Sequence, residues 1–160
     1  MGRTHPVVIR IASFNINGIN RRWDTLAAWL SAAKPDIVCL QELKSEKGDF
    51  PEDALAELGY RAVWVGQRSW NGVAILSRLG EPVLIRTKLP GDPSDTQARY
   101  VEAAVAGLVI ASIYVPNGNP RPGPKFVYKL AWLDRLRRHA ATLHRTGAQI
   151  VLAGDFNVVP

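Results

Sequence analysis

Four apolar runs along the chain each stop at a polar cluster. They are Val7–Phe14, Ile37–Leu40, Leu108–Ile113 and Ile150–Ala153, followed by Asn15 and Asn17, Gln41 and Glu42, Tyr114 and Asn117, and Asp155 and Asn157. Short apolar runs that end in carboxylates and amides predict buried strands feeding one polar rim, and in α/β sheets the carboxyl ends of strands are where ligands bind. Val7–Phe14 reads as a strand. Trp23, Leu26, Ala27 and Leu30 repeat with the period of an amphipathic helix, closed by Pro35. Asp36–Gln41 is apolar on both faces and predicts an interior strand. Pro51–Leu58 predicts a short helix with Gly59 beyond its end, and Arg61–Val65, Val73–Ser77 and Val83–Arg86 predict further strands.

Leu89–Gln97 carries prolines, aspartates and a glycine and predicts a loop. Tyr100–Ala106 and Leu108–Val115 flank Gly107 as a hairpin. Pro116–Pro124, rich in proline, glycine and asparagine, is long enough to suggest function. Phe126, Leu130, Leu133, Leu136, Ala140 and Leu143 predict one apolar face of a long helix ended by Gly147, before the last strand, Ile150–Ala153. Strands mixed with helices predict an α/β (α+β) fold, with one mixed sheet carrying helices on it.

The 160 residues fit one domain, and 47% apolar and 21% charged residues are ordinary for a globular protein. No apolar stretch approaches the roughly 20 residues of a membrane span, and Met1–Pro6 lacks the pattern of a signal peptide. Cys39 is the single cysteine, which excludes an internal disulfide and fits a reducing, cytoplasmic compartment. Its apolar neighbours make it a buried structural thiol. The net charge of +6 favours a polyanionic partner, nucleic acid being the commonest, though charge alone weighs equally for solubility.

Five blocks occur in order: Ser13-Phe14-Asn15-Ile16-Asn17-Gly18, Leu40-Gln41-Glu42-Leu43-Lys44, Asn71-Gly72-Val73-Ala74-Ile75-Leu76, Tyr114-Val115-Pro116-Asn117-Gly118 and Gly154-Asp155-Phe156-Asn157. From Ile11 to Pro160 the chain resembles the exonuclease III family of AP endonucleases, within the endonuclease/exonuclease/phosphatase superfamily. The resemblance implies half of a four-layer αββα sandwich and Mg²⁺-dependent phosphodiester hydrolysis, with Mn²⁺ as a substitute. The implied partner is double-stranded DNA, cut 5′ to abasic sites and trimmed from 3′ ends.

Such chemistry needs an activated water, neutralised phosphate charge and help for the leaving oxygen. Glu42 ends a buried strand with no obvious cationic partner in sequence, so a metal ligand explains it better than a solvated strand end; Mg²⁺ prefers one or two carboxylates plus water. By resemblance Asp155 orients or deprotonates the attacking water. Asn157 holds the same water or the phosphate, against the alternative of a turn cap. Asn15 anchors Glu42 or contacts the metal, against turn capping beside Asn17-Gly18. The implied metal set is thus Glu42, Asn15, Asp155 and Asn157. Tyr114 contacts the phosphate or leaving group, where a core tyrosine is the plain alternative. Asn117 contacts the phosphate.

Arg21, Arg22, Arg99 and Lys125 are placed as DNA-phosphate contacts and Gln67 and Asn71 in a loop approaching the DNA, with Trp70 either beside them or packed inside. Arg135, Arg137, Arg138 and Arg145 read as a solvated face of the long helix.

The family's later Asp-bearing strand and its Ser-Asp-His segment have no counterpart, and His5, His139 and His144 occur in no comparable context. The expectation is therefore a single truncated domain over residues 1–160. It would hold about one sheet, with an apolar inner face left for self-association. Two alternatives stand beside the nuclease: another phosphoesterase of the superfamily, and an inactive half that binds DNA or pairs with another chain.

Overall fold

The computed structural model describes residues 8–159; the start of the first predicted strand at Val7, the tail with His5, and Pro160 lie outside the described residues. Eight strands and three α-helices follow one another as β1 (Ile11–Asn15), α1 (Trp23–Ala33), β2 (Ile37–Gln41), α2 (Glu52–Glu57), β3 (Arg61–Val65), β4 (Val73–Ser77), β5 (Val83–Arg86), β6 (Tyr100–Val105), β7 (Leu108–Tyr114), α3 (Pro124–His144) and β8 (Gln149–Asp155). A 3₁₀ turn, Asn20–Arg22, precedes α1. The first strand starts later than its apolar run. Arg10 is taken up below the sheet, where its carbonyl accepts from the amides of Asp36 and Ile37 and its own amide donates to Asp36.

The strands form two sheets, not one. Their orders are β1-β2-β4-β3 and β5-β6-β7-β8, with β1/β2 and β7/β8 parallel and the other pairs antiparallel. Because a strand alternates its faces, each sheet has an inner and an outer set. Ile37, Cys39, Val73 and Ile75 of the first sheet pack against Val101, Ala103, Val105 and Ile110 of the second. On the outer face of the first sheet, Val38, Leu40, Ala74 and Leu76 are covered by Leu26 and Leu30 of α1 and Leu55 of α2. On the other side Tyr100, Ala111 and Ile113 are covered by Trp132 and Leu136 of α3.

All four layers of an α/β/β/α sandwich are therefore present. The inner face expected to lie bare for self-association is covered, since Ile37, Val73, Val101 and Ile110 are fully buried. What stays unpaired among the described residues is strand edge: β1 and β8, which neighbour each other across the sandwich, on one side, and β3 and β5 on the other.

The buried stripe of α3 also differs from its apolar periodicity. Trp132, Arg135, Leu136, His139 and Leu143 face inward, while Leu130 is 51% exposed. Two polar residues sit in that stripe because each meets a carboxylate. Arg135, expected on a solvated face, pairs with Asp95 at 2.8 Å. His139 Nε2 lies 2.7 Å from Oε2 of buried Glu102, which also accepts from Tyr100 at 2.5 Å, and Arg86 Nε donates to its Oε1 at 3.0 Å.

Burial acts on the Glu102 carboxyl most strongly and raises it, but the bonds from His139, Tyr100 and Arg86 together hold it below the ordinary value of 4.5. A depressed carboxyl contributes stability that is full above the unfolded value and is lost as pH falls through the folded one. Chemical denaturation from pH 7 to 3 is expected to show this acid loss in the native chain and a flatter acid limb in Glu102→Gln. Parallel curves would remove Glu102 from the acid response.

Candidate active site

The inner face of the sandwich changes character toward one end. Along β1, β2, β7 and β8 the inward positions run from Ile11, Ile37, Ile110 and Val151 through Ser13, Cys39, Ser112 and Ala153 to Asn15, Gln41, Tyr114 and Asp155, and the parallel registers Asn15↔Gln41 and Tyr114↔Asp155 bring the last set level. The polar residues are the mouth of the cleft between the sheets. Antiparallel β4 and β6 begin at this same end, which brings Asn71 and Arg99, just ahead of them, to the mouth. Beneath it Gln41 Nε2 donates to Ser112 Oγ at 3.2 Å and Ser13 Oγ at 3.3 Å. Burial pushes the Cys39 thiol up to about 12, consistent with a structural role.

Glu42 follows Gln41, so strand alternation alone would point it outward. Its φ of 55° turns the chain, and the carboxylate returns over the mouth: Asn15 Nδ2 donates to Oε1 at 2.8 Å and Tyr114 OH at 2.7 Å. Backbone strain of this kind costs about 1–3 kcal/mol and gathers at functional sites. Asn17, Lys44 and Asn157 share the left-handed region, at 49°, 50° and 48°. The turn at Lys44 supplies the cation that the sequence pattern did not reveal, since its Nζ lies 3.1 Å from Glu42 Oε2 and donates to Asn17 Oδ1 at 2.6 Å. Burial raises the Glu42 carboxyl, and the bonds from Asn15, Tyr114 and Lys44 outweigh it and hold the group below its ordinary value. Burial, with the adjacent Glu42 carboxylate, pushes the Tyr114 phenol up to about 12, so it stays protonated at neutral pH and donates a hydrogen bond to Glu42.

Asn15 joins the two carboxylates. The same Nδ2 donates to Asp155 Oδ2 at 3.0 Å, while its Oδ1 accepts from the Asn17 amide at 3.0 Å. The nitrogen, not the oxygen, faces the carboxylates in this arrangement, so Asn15 bridges Glu42 and Asp155. Asp155 Oδ1 accepts from the Asn157 amide at 2.9 Å, and Asn157 Nδ2 donates to the Val115 carbonyl at 2.7 Å, so that side chain ties β8 to β7. Lys129 of α3 closes the rim behind, donating to the carbonyls of Asn157 at 2.5 Å and Asn117 at 3.2 Å.

A groove of about 650 Å³ leads away from Glu42, lined among others by Lys44, Gln67, Asn71, Arg99, Tyr114, Asn117 and Lys125. Arg99 stacks over the Tyr114 ring, 4.7 Å from its centroid. Gln67 Oε1 accepts from Asn71 Nδ2 at 2.7 Å and the Ala98 amide at 3.0 Å, fixing the loop before β4 to the segment before β6. Trp70, also on the groove, is 73% exposed and is not a packing residue. Arg22 lines a second recess with Asn15 and Glu42, whereas Arg21 is exposed and packs along Gly18. His139 is taken up by Glu102, and His144 is exposed in the last turn of α3. A larger concavity, about 820 Å³ over Phe50 and Trp64, contains none of the mouth residues.

Among the described residues no three His, Cys, Asp or Glu side chains gather at one point. The two carboxylates joined by one amide are hard oxygen donors, the kind a cation that keeps most of its water would take.

The four-layer sandwich thus carries two carboxylates and a phenol at its strand ends, opening on a groove lined by Lys44, Arg99 and Lys125. The chain belongs to the endonuclease/exonuclease/phosphatase family, whose profile matches residues 12–160. It is 32% identical over 157 residues to exodeoxyribonuclease III of Haemophilus influenzae, covering 95% of this chain and 58% of that protein. Among solved structures it is similar to an AP endonuclease from Archaeoglobus fulgidus, with 38% identity, a TM-score of 0.89, and 96% and 59% of the two chains covered. A 3′ phosphatase from Neisseria bound to a product DNA hairpin matches at 37% identity and a TM-score of 0.89, over 96% and 59%. The chain thus spans about three-fifths of each of these three relatives. Among the described residues no helix is long and apolar enough to cross a membrane.

Proposed function

We propose that this chain carries the metal- and water-handling part of a DNA-repair phosphodiesterase acting on duplex DNA at abasic sites and 3′ ends. The observation that supports it most is the continuous hydrogen-bonded chain Tyr114–Glu42–Asn15–Asp155 at the head of a groove walled by Arg99 and Lys125. Glu42 would hold Mg²⁺, with Asp155 as the second carboxylate; when bound, the ion supplies charge neutralisation at the phosphate.

The protein's own groups do the rest. Asp155, held by two N–H donors, orients a water for in-line attack and accepts its proton as the new phosphorus–oxygen bond forms and the old one breaks. Tyr114 keeps its phenol proton and is placed to donate to a phosphate oxygen once released from Glu42. Arg99, Lys125 and Asn117 bind flanking phosphates, with Arg22 at the other side of Glu42. These contacts position the duplex and make binding salt-dependent. A DNA substrate and a single buried thiol go with a cytoplasmic site of action.

Incision of a duplex bearing one abasic site is the test. Cleavage is expected to require divalent metal and to fall about 10²–10⁴-fold in Asp155→Asn, the range for loss of a positioned base. Equal, metal-independent cleavage by both proteins would remove the assignment. Salt-sensitive duplex binding without cleavage in either would replace it with a DNA-binding role.

A further inference from the structure

The wall of the groove is fastened from behind by a buried ion pair that never reaches it. Asp95, in the loop between β5 and β6, and Arg135, in the middle of α3, have side chains that are each only 7% exposed. Arg135 Nη1 donates to Asp95 Oδ2 at 2.8 Å, and its other nitrogens donate to the carbonyls of Leu89 at 2.6 Å and Pro90 at 3.1 Å. One guanidinium therefore straps both the start of the loop and its central carboxylate to the helix. Planar, multiply bonded attachment of this kind is what arginine does and lysine does not.

Asp95 passes that fixation forward. Tyr128 OH donates to its two oxygens at 3.1 and 3.0 Å, and the Gln97 amide donates to Oδ1 at 3.1 Å. Gln97 Oε1 in turn accepts from Arg99 Nε at 2.6 Å, and the Arg99 guanidinium lies over the Tyr114 ring. Tyr128, Gln97 and Arg99 all line the groove, whereas Asp95 and Arg135 do not. A buried pair is weak evidence for stability in itself, since apolar residues of similar volume commonly do as well. A pair whose carboxylate collects three donors, two of them from groove-lining residues, has a second use.

We infer that Asp95 and Arg135 are positioning residues that fix the Arg99 guanidinium in the groove wall, and so set phosphate recognition without touching the substrate. The inference rests on the DNA reading of the groove. Its content is coupling: Asp95 and Arg135 act through Arg99.

The experiment is a double-mutant cycle on binding to a short duplex, titrated from 50 to 300 mM NaCl, with thermal melts of every variant. Asp95→Asn keeps the shape of the side chain and removes its charge. Arg135→Lys keeps the charge and removes the fork, so it serves if the first variant folds poorly. Each is expected to weaken duplex binding about tenfold and to lower the salt slope by about 0.9, the value of one phosphate contact. In an Arg99→Ala background neither is expected to weaken binding further.

The ¹⁵N resonance of Arg99 Nε, which reports its bond to Gln97, is expected to shift in both variants with or without DNA. Equal losses in the two backgrounds, or an unmoved Arg99 resonance, would reduce the pair to a structural clamp. If the native chain fails to bind duplex, the DNA reading falls, and the Arg99 resonance still decides whether the pair positions that side chain.

Discussion

Gly154→Ala is expected to destabilise the protein by at least about 3 kcal/mol, at the upper end of what overpacking costs. For a domain of this size that lowers the melting midpoint by about 6–12 °C. A β-carbon at Gly154 would sit 2.0 Å from the Ile113 carbonyl oxygen and within 2.8 Å of the Ile113 carbonyl carbon and amide nitrogen. All three are backbone atoms, so no side-chain rotation relieves the contact. Ile113 and Gly154 are directly paired where β7 and β8 run parallel, and the φ of 157° at Gly154 puts the Cβ position against that neighbour's backbone.

Only separation of the strands makes room, and the next pair is Tyr114 with Asp155. The substitution is therefore expected to disturb the site as well as the fold, weakening the Asn15–Asp155 bond that joins the two sheets. Circular-dichroism melts of the two proteins check the stability; midpoints within 2 °C would show that the strands yield easily.

Much of this arrangement is legible in the residues, because inward and outward positions alternate in a strand whatever its partner. Arg61–Val65, Val73–Ser77 and Val83–Arg86 are strands with the bounds that their composition predicts. Asn15, Tyr114 and Asp155 stand at strand ends on inward positions, which the apolar runs before them announce. The number of sheets is not legible. Val73–Ser77 is buried on both faces and Val83–Arg86 is short and exposed, and nothing in either run tells that the chain crosses to the second sheet between them.

Two local devices also hide. Lys44 reaches Glu42 only because both residues take left-handed φ values, which non-glycine residues seldom adopt. Arg135 and His139 occupy the buried stripe of α3 because Asp95 and Glu102 wait on other elements, so counting apolar residues alone turns the helix toward Leu130.

Glu42→Gln is expected to separate function from stability. The amide retains an oxygen to accept from Asn15 and Tyr114, so the local geometry survives. What it loses is the charge, and with it the ion pair to Lys44, whose partners are 24% and 19% exposed. Such a pair contributes about 1 kcal/mol or less, and removing a half-buried carboxylate relieves a desolvation cost of opposite sign. The melting midpoint is thus expected to move by no more than about 4 °C.

Activity is expected to fall about 10²–10³-fold, the scale of losing one electrostatic element of a preorganised site. The discriminating measurement is the response of the melt to Mg²⁺, because a ligand that binds only the folded state raises stability with its concentration. Millimolar Mg²⁺ is expected to raise the midpoint of the native protein and to leave Glu42→Gln unmoved. An equal rise in both would place the ion elsewhere and leave Glu42 as the partner of Lys44 alone. The left-handed turn at Glu42 would then serve only to bring its carboxylate to Asn15, Tyr114 and Lys44.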